Sequence, residues 1–268
     1  VLTEIIPLFP SSYVHVGGDE APKTRWKSCP NCQAIIKEKG LHDEHELQSY
    51  FIGRMDAFLT QKGKKLIGWD EILEGGLSPN ATVMSWRGYE GGMAAAALGH
   101  DVVMCPGSHC YFDHYQGRGA EEPLAIGGYT SLEKVLSFNP IPPNMTIAQA
   151  AYVLGAQGNL WTEYIPNMAQ LEYMAYPRAI ALSTALWSES KVSYDDFLSV
   201  LIKDHFPFLD AQRVNYSKSA LKPEIKTLRA DNGISIQKLA PKGILAYTEV
   251  LANIRAAKRK TKTVHLQI

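Results

Sequence analysis

Tyr13-Val14-His15-Val16-Gly17-Gly18-Asp19-Glu20 is the stretch on which the reading of the chain turns. A short, mostly apolar run passes through two glycines into two carboxylates. Strands buried on both faces of a parallel sheet are written this way, as near-continuous apolar residues without alternation. The pattern recurs four times. Lys65-Leu66-Ile67-Gly68 leads into Trp69-Asp70-Glu71, and Thr82-Val83-Met84-Ser85 into Trp86-Arg87-Gly88. Asp101-Val102-Val103-Met104 leads into Cys105-Pro106-Gly107, and Tyr152-Val153-Leu154-Gly155 into Gln157-Gly158-Asn159-Leu160-Trp161. Helical stretches separate several of these runs. Between His45 and Gln61, Leu47, Phe51, Met55, Phe58 and Leu59 fall at spacings of three and four and predict one buried stripe, stopped by Gly63. Gly91 to Leu98 reads as a short alanine-rich helix, and Met168 to Trp187 as one long amphipathic helix. Strand, loop and helix in repetition mean β/α units and a parallel sheet. No glycine fingerprint of a dinucleotide fold follows any strand. The expected fold is therefore α/β, a TIM-type β/α barrel, with five β/α units visible.

The bulk numbers fit this reading. A chain of 268 residues with 46% hydrophobic side chains can bury a substantial core. Positive and negative side chains balance at 27 each, which argues against nucleic acid or an acidic membrane as the main partner. No apolar run is long enough to span a bilayer. Residues 1–218 read as a partial barrel domain and 219–268 as a C-terminal extension, the start of a small β domain. Short strands are expected there at Ile225-Lys226-Thr227-Leu228, Ile234-Ser235-Ile236 and Ile244-Leu245-Ala246-Tyr247. Tyr194 to Ile202 reads as helical, and Lys258-Arg259-Lys260 as a solvated basic tail. The loop from Gly117 to Ile147 is long enough to be expected in the active site. Cys29-Pro30-Asn31-Cys32 fits a redox pair or half a zinc site. With no second CxxC and no His pair at ligand spacing, incidental thiols are the simpler reading and no metal is expected.

The active site of a β/α barrel lies at the C-terminal ends of its strands. Asp19 and Glu20 stand there after the first run, Trp69 after the second and Trp86 after the third. Tyr111 and Asp113 follow the fourth, and Trp161 and Glu163 the fifth. Flat aromatic faces beside carboxylates suit a sugar ring, which stacks by its apolar face and is held by its hydroxyls. Neighbours on a strand point to opposite faces, so Asp19 and Glu20 share a pocket only if the chain turns. Gly17-Gly18 permits such a turn, or the close approach of a neighbour. Mutual repulsion is expected to raise the pKa of one carboxylate, leaving an acid beside an anion. A bare Asp-Glu reads more cheaply as a helix cap and first turn, and Asp70-Glu71 is assigned such a structural or supporting role.

His15-Val16-Gly17-Gly18-Asp19-Glu20 resembles the H-x-G-G-D-E signature of family 20 glycoside hydrolases, the β-N-acetylhexosaminidases. Gly68-Trp69-Asp70-Glu71, Ser85-Trp86-Arg87-Gly88, Tyr111 with Asp113, Ser131-Leu132-Glu133-Lys134-Val135 and Gln157-Gly158-Asn159-Leu160-Trp161-Thr162-Glu163 are similar to later segments of that family, in order, over about residues 1–190. The resemblance implies a (β/α)8 barrel that removes terminal β-linked N-acetylglucosamine or N-acetylgalactosamine from glycans. Configuration is retained because the substrate's own 2-acetamido group assists. It implies no cofactor. It makes Glu20 the general acid and base, and Asp19 the carboxylate that orients the acetamido group. Tyr111 becomes the hydroxyl that bonds the acetamido oxygen. Trp69, Trp86 and Trp161 become the walls, Asp113 and Glu163 the partners of sugar hydroxyls, and His15 a supporting residue or, equally well, a satisfied core histidine.

In that family the signature strand is the fourth of the barrel. The resemblance therefore implies three units upstream of Val1, with Val1–Pro10 the tail of the third helix and the chain a fragment. Self-association through the open face is expected, as is a periplasmic, secreted or lysosomal setting. The alternatives are an enzyme that releases a disaccharide or transfers the sugar, and a sugar-binding fragment without turnover.

Overall fold

The five apolar runs pair side by side. In the computed structural model, which describes residues 1–221 and the backbone of 224–230 and 233–239, they are β1 (Tyr13–His15), β2 (Lys65–Trp69), β3 (Thr82–Ser85), β4 (Val102–Met104) and β5 (Val153–Ala156). They form one sheet in the order β1-β2-β3-β4-β5, every pairing parallel. The central strands carry the core: Leu66, Val83, Val102 and Met104 are fully buried. On the outer strands, His15 and Leu154 are exposed. The apolar runs are thus explained, since three strands are covered on both faces.

The longer helices are α1 (Pro30–Lys39), α2 (Glu44–Gln61), α3 (Glu90–Ala97), α4 (Met168–Ala175), α5 (Arg178–Trp187) and α6 (Tyr194–Val200). The hydrophobic pattern did not announce α1, yet its end signals are plain: Pro30 at the first position and Gly40 in a left-handed cap. The Asp43 side chain caps α2 by accepting from the backbone N–H groups of His45 and Glu46.

Three expectations need correction. The inner face of α2 is Leu47, Gln48, Ile52, Asp56 and Leu59, and Phe51 is left exposed. The face is rotated because two polar side chains find partners inside. Gln48 accepts from Lys23 Nζ at 2.6 Å and donates to the Glu71 carbonyl at 3.1 Å, while Asp56 accepts from Ser78 Oγ. The predicted helix Met168–Trp187 is two helices, α4 and α5, broken at Tyr176-Pro177, where proline has no N–H to give and pushes the preceding residue out of the helical region. The long loop carries its own helical turn, Leu132–Leu136, capped by the Ser131 side chain.

Beyond the sheet, the helical run from Tyr194 ends at Val200 and continues as a π-helical turn, Leu201–His205. The opening segment is a helical turn at Leu2–Ile5 followed by a 3-10 turn at Ile6–Leu8. β6 (Glu224–Ala230) and β7 (Gly233–Leu239) pair antiparallel, where two of the short strands were expected. The third, Ile244–Tyr247, and the basic run Lys258–Lys260 lie outside the described residues. Among the described residues no helix is long and apolar enough to cross a membrane.

Candidate active site

The C-terminal ends of the five strands open onto one cleft of about 400 Å³. Asp19, Glu20, Trp69, Trp86, Tyr111, Asp113, Trp161 and Glu163 all line it. His15 does not. Its ring lies 4.8 Å from that of Trp69, and its Nδ1 accepts the Gly17 N–H at 3.0 Å. Accepting at Nδ1 leaves Nε2 as the donor of a neutral ring. Partial burial lowers the His15 pKa, against the opposing pull of the Asp19 charge.

The Gly17-Gly18 turn answers both needs set by the sequence. Gly17 and Gly18 have φ of 75° and 102°, values that a side chain rarely permits. A Cβ on Gly18 would stand 2.5 Å from Ile72 Cγ2. On β2, a Cβ on Gly68 would stand 2.9 Å from the Gly17 carbonyl oxygen, which accepts the Trp69 N–H at 3.0 Å. The two strand ends interlock by backbone contact, and that contact delivers Asp19-Glu20 beside Trp69. Glu20 itself has φ of 47°. A non-glycine residue held there costs energy that the surrounding structure must supply.

The aromatic wall is continuous. Trp69 lies 5.8 Å from Trp161, Trp161 6.4 Å from Tyr111, and Tyr111 6.2 Å from Trp86. Tyr111 is seated by strand-like pairing beyond β4 and β5, where Phe112 N–H donates to the Asn159 carbonyl and Asn159 N–H to the Cys110 carbonyl, each at 2.7 Å. Burial holds the Tyr111 phenol above its ordinary range, so it stays a hydroxyl. Trp86 is fixed from behind: its indole Nε1 donates to Glu71 Oε2 at 2.9 Å. Arg87 faces the same group, 3.3 Å from Asp70 Oδ1 and 3.1 Å from Glu74 Oε1. Asp70 and Glu71 are buried and lie outside the cleft lining.

Asp113 is 5% exposed, and its Oδ1 has no hydrogen-bond partner. A buried carboxylate oxygen without a donor is costly, and burial, with the Glu163 charge adding, raises its pKa to about 6 against the pull of Arg178. Arg178 organises this side of the cleft. It is fully buried and donates to the backbone carbonyls of Phe112, His114, Thr130 and Met174, with the His114 bond at 2.9 Å. Its guanidinium also lies 5.1 Å from the Phe112 ring centroid. One side chain thus ties the Tyr111–His114 segment and Thr130, in the middle of the long loop, to α5.

Four lining residues were not anticipated from the sequence: His114, Ile126, Gly127 and Gly128. The only hint was that His114 adjoins Asp113 and that the other three fall in the long loop. Burial lowers the His114 pKa, with the Arg178 charge adding, and its Nδ1 lies 3.0 Å from Thr130 Oγ1. Among the described residues no group of three or more His, Cys, Asp or Glu side chains is placed to hold a metal ion.

Residues 1–190 match the family model described as "Glycosyl hydrolase family 20, catalytic domain". The chain belongs to glycosyl hydrolase family 20. It is 52% identical over 218 residues to a "Beta-hexosaminidase" of Porphyromonas gingivalis, which covers 81% of this chain and 28% of the relative. To a "Beta-hexosaminidase" of Vibrio furnissii it is 35% identical over 188 residues, 68% of this chain and 30% of the relative. The chain thus spans about three-tenths of the length of these family 20 relatives. Among solved structures, the family 20 exo-β-N-acetylglucosaminidase of Vibrio harveyi in complex with N-acetylglucosamine superposes with a TM-score of 0.73 at 35% identity, over 81% of this chain and 35% of that one. A β-N-acetylhexosaminidase of Bacteroides fragilis superposes with a TM-score of 0.68 at 27% identity, over 81% and 44%.

Proposed function

We propose that this chain carries the catalytic carboxylates of a β-N-acetylhexosaminidase, acting on terminal non-reducing β-linked N-acetylhexosamine. The observation that carries the reading is the convergence of Asp19, Glu20 and Tyr111 on one cleft walled by Trp69, Trp86 and Trp161. The roles follow from the chemistry. Glu20 protonates the leaving glycosidic oxygen and afterwards takes a proton from the attacking water. Asp19 orients the acetamido group and faces the positive charge that its nitrogen gains as its oxygen attacks the anomeric carbon. That charge exists mainly in the transition state and the intermediate, so the contact favours them over bound substrate. The Tyr111 hydroxyl bonds the acetamido oxygen, and Asp113 and Glu163 accept sugar hydroxyls. The unpaired Asp113 oxygen supports that last role, because a hydroxyl supplies the donor it lacks. His15 backs Trp69 and steadies the turn.

The presence of both Asp19 and Glu20 in the cleft favours a catalyst over a passive sugar binder, which would need the aromatic wall but not Glu20. On the same reading the five parallel strands and the helices that follow most of them are β/α units of a (β/α)8 barrel domain over residues 1–218, and 219–268 form a separate extension. The consecutive strand order and the family 20 superpositions support this.

The direct test is release of nitrophenol from p-nitrophenyl N-acetyl-β-D-glucosaminide by the 268-residue chain, with Glu20→Gln as control. Turnover that vanishes in the control is the expected result. Equal rates from both proteins would remove Glu20 from the chemistry.

A further inference from the structure

Cys29-Pro30-Asn31-Cys32 lies outside the cleft, and the glycosidase reading makes no use of it. The structure gives the motif a definite place. Cys29 is the N-cap of α1, with extended backbone at φ −80° and ψ 116°, Pro30 holds the first helical position, and Cys32 stands on the same first turn. An N-cap side chain and the third residue of the helix face each other across that turn. Both thiols therefore overlie the same first turn, and each feels the other. Both thiols are partly exposed, whereas Cys105 and Cys110 are fully buried.

The two sulfurs are not equivalent. The Cys32 N–H and thiol face the Cys29 sulfur and hold its pKa below the ordinary thiol value, through a contact looser than a formed capping hydrogen bond. Cys32 is pushed the other way, by the Cys29 sulfur first and by partial burial next, with the Glu44 carboxylate adding to it. A helix N-terminus that favours negative charge on one cysteine, with a second thiol on the same turn, is the arrangement of an attacking and a resolving sulfur. A zinc site would need further ligands, and no group of three or more candidate ligands occurs among the described residues.

We propose that Cys29 and Cys32 form a reversible dithiol–disulfide pair that exchanges with low-molecular-weight disulfides, Cys29 attacking and Cys32 resolving. The Cys29 thiolate attacks one sulfur of the small disulfide, forms a mixed disulfide and expels one small thiolate. The Cys32 thiolate then attacks the Cys29 sulfur and expels the second. The protein gives up two electrons and two protons and gains one S–S bond, and the small disulfide is reduced to two thiols. Oxidation staples the entry of α1, on the segment that leads directly away from Asp19-Glu20.

The test equilibrates the full 268-residue chain with glutathione buffers of graded reduced-to-oxidised ratio, quenches in acid, and alkylates under denaturation for peptide mass spectrometry. Cys29 and Cys32 should pass together from two alkylated thiols to one bridged peptide, while Cys105 and Cys110 are alkylated throughout. Cys32→Ser should trap glutathione on Cys29. Cys29→Ser, which keeps a good helix cap, should react at least tenfold more slowly at Cys32. Two alkylated thiols at every ratio would overturn the proposal. So would glutathione accumulating on Cys32 as readily as on Cys29, or zinc retained by the native protein and released when either cysteine is replaced.

Discussion

Two Asp-Glu dipeptides follow neighbouring parallel strands: Asp19-Glu20 beyond β1 and Asp70-Glu71 beyond β2. The first is exposed, lines the cleft, and stands on a glycine turn with Glu20 in the left-handed region. The second is buried in a 3-10 turn, Asp70–Leu73, and is engaged by Arg87 and the Trp86 indole. On the proposed function, identical residues become reacting groups in one place and scaffold in the other. What differs is the backbone before them. Gly17-Gly18 swings Asp19 and Glu20 out of the strand, whereas Trp69 passes straight into the 3-10 turn and carries its carboxylates inward. The lesson is that a carboxylate pair acquires its role from where the backbone carries it, into an open cleft or inward against Arg87 and the Trp86 indole.

The sharpest way to break the comparison is Glu20→Gln. It should lower hydrolysis by roughly 10²–10⁴-fold, the usual worth of a positioned acid–base group, and leave the urea unfolding midpoint unchanged because the side chain is exposed. A large loss of stability instead would mean that Glu20 is scaffold like Glu71.

Arg178 comes next, because it supports the opposite wall. Arg178→Met keeps much of the volume and leaves buried carbonyls without donors, each costing about 1–3 kcal/mol, so a total of roughly 3 kcal/mol or more is expected in urea unfolding. Arg178→Lys should recover only part of it, since one ammonium cannot span four carbonyls. If Arg178→Met unfolds at the parent midpoint, the bonds that tie the Tyr111–His114 segment to α5 are not holding it.

Much of this contrast could be read before the structure, and the unread part has a physical reason. The strands were legible because burial on both faces leaves no room for polar residues in runs such as Leu66-Ile67 and Val102-Val103. Asp19, Glu20 and the three tryptophans were legible because a strand end is a fixed place in a β/α unit. The inner face of α2 was misread because periodicity counts apolar residues, and Gln48 and Asp56 go inside to reach polar partners while Phe51 stays out. Arg178 was invisible because an arginine after a proline at a helix start looks like a surface charge, and its partners are carbonyls from 48 to 66 residues away as well as one four residues back. His114 and Ile126 to Gly128 were missed because loop conformation leaves no periodic trace.

A third prediction concerns protons. Burial raises the Asp113 carboxyl to about 6, so this group is protonated below that pH and charged above it. An acceptor of sugar hydroxyls works best charged. kcat/KM should therefore rise with pH through about 6, falling roughly tenfold per unit on the acid side, and Asp113→Asn should flatten that limb while lowering the plateau. Folding stability runs the other way. A carboxyl raised above its ordinary value stabilises the fold fully at pH below that ordinary value, and this contribution is lost as pH rises through about 6. A limb that persists in Asp113→Asn assigns the titration to another group.

The smallest effect sharpens the comparison from the scaffold side. Glu71→Gln preserves shape and keeps one oxygen that can accept the Trp86 indole, but it turns an amide NH₂ toward Arg87, whose Nε lies 3.8 Å from Glu71 Oε1. Losing a charge-assisted bond and facing donor with donor should cost about 1–2 kcal/mol of stability. Trp86 would lose its brace and the sugar ring one firm wall, so KM should rise a fewfold in steady-state assays while kcat stays near that of the parent. This pattern is the inverse of the one expected for Glu20→Gln, in which kcat collapses and stability holds. A Glu71→Gln protein that loses kcat as deeply as Glu20→Gln would place Glu71 among the groups that touch substrate, and burial beside Arg87 would no longer separate the two dipeptides.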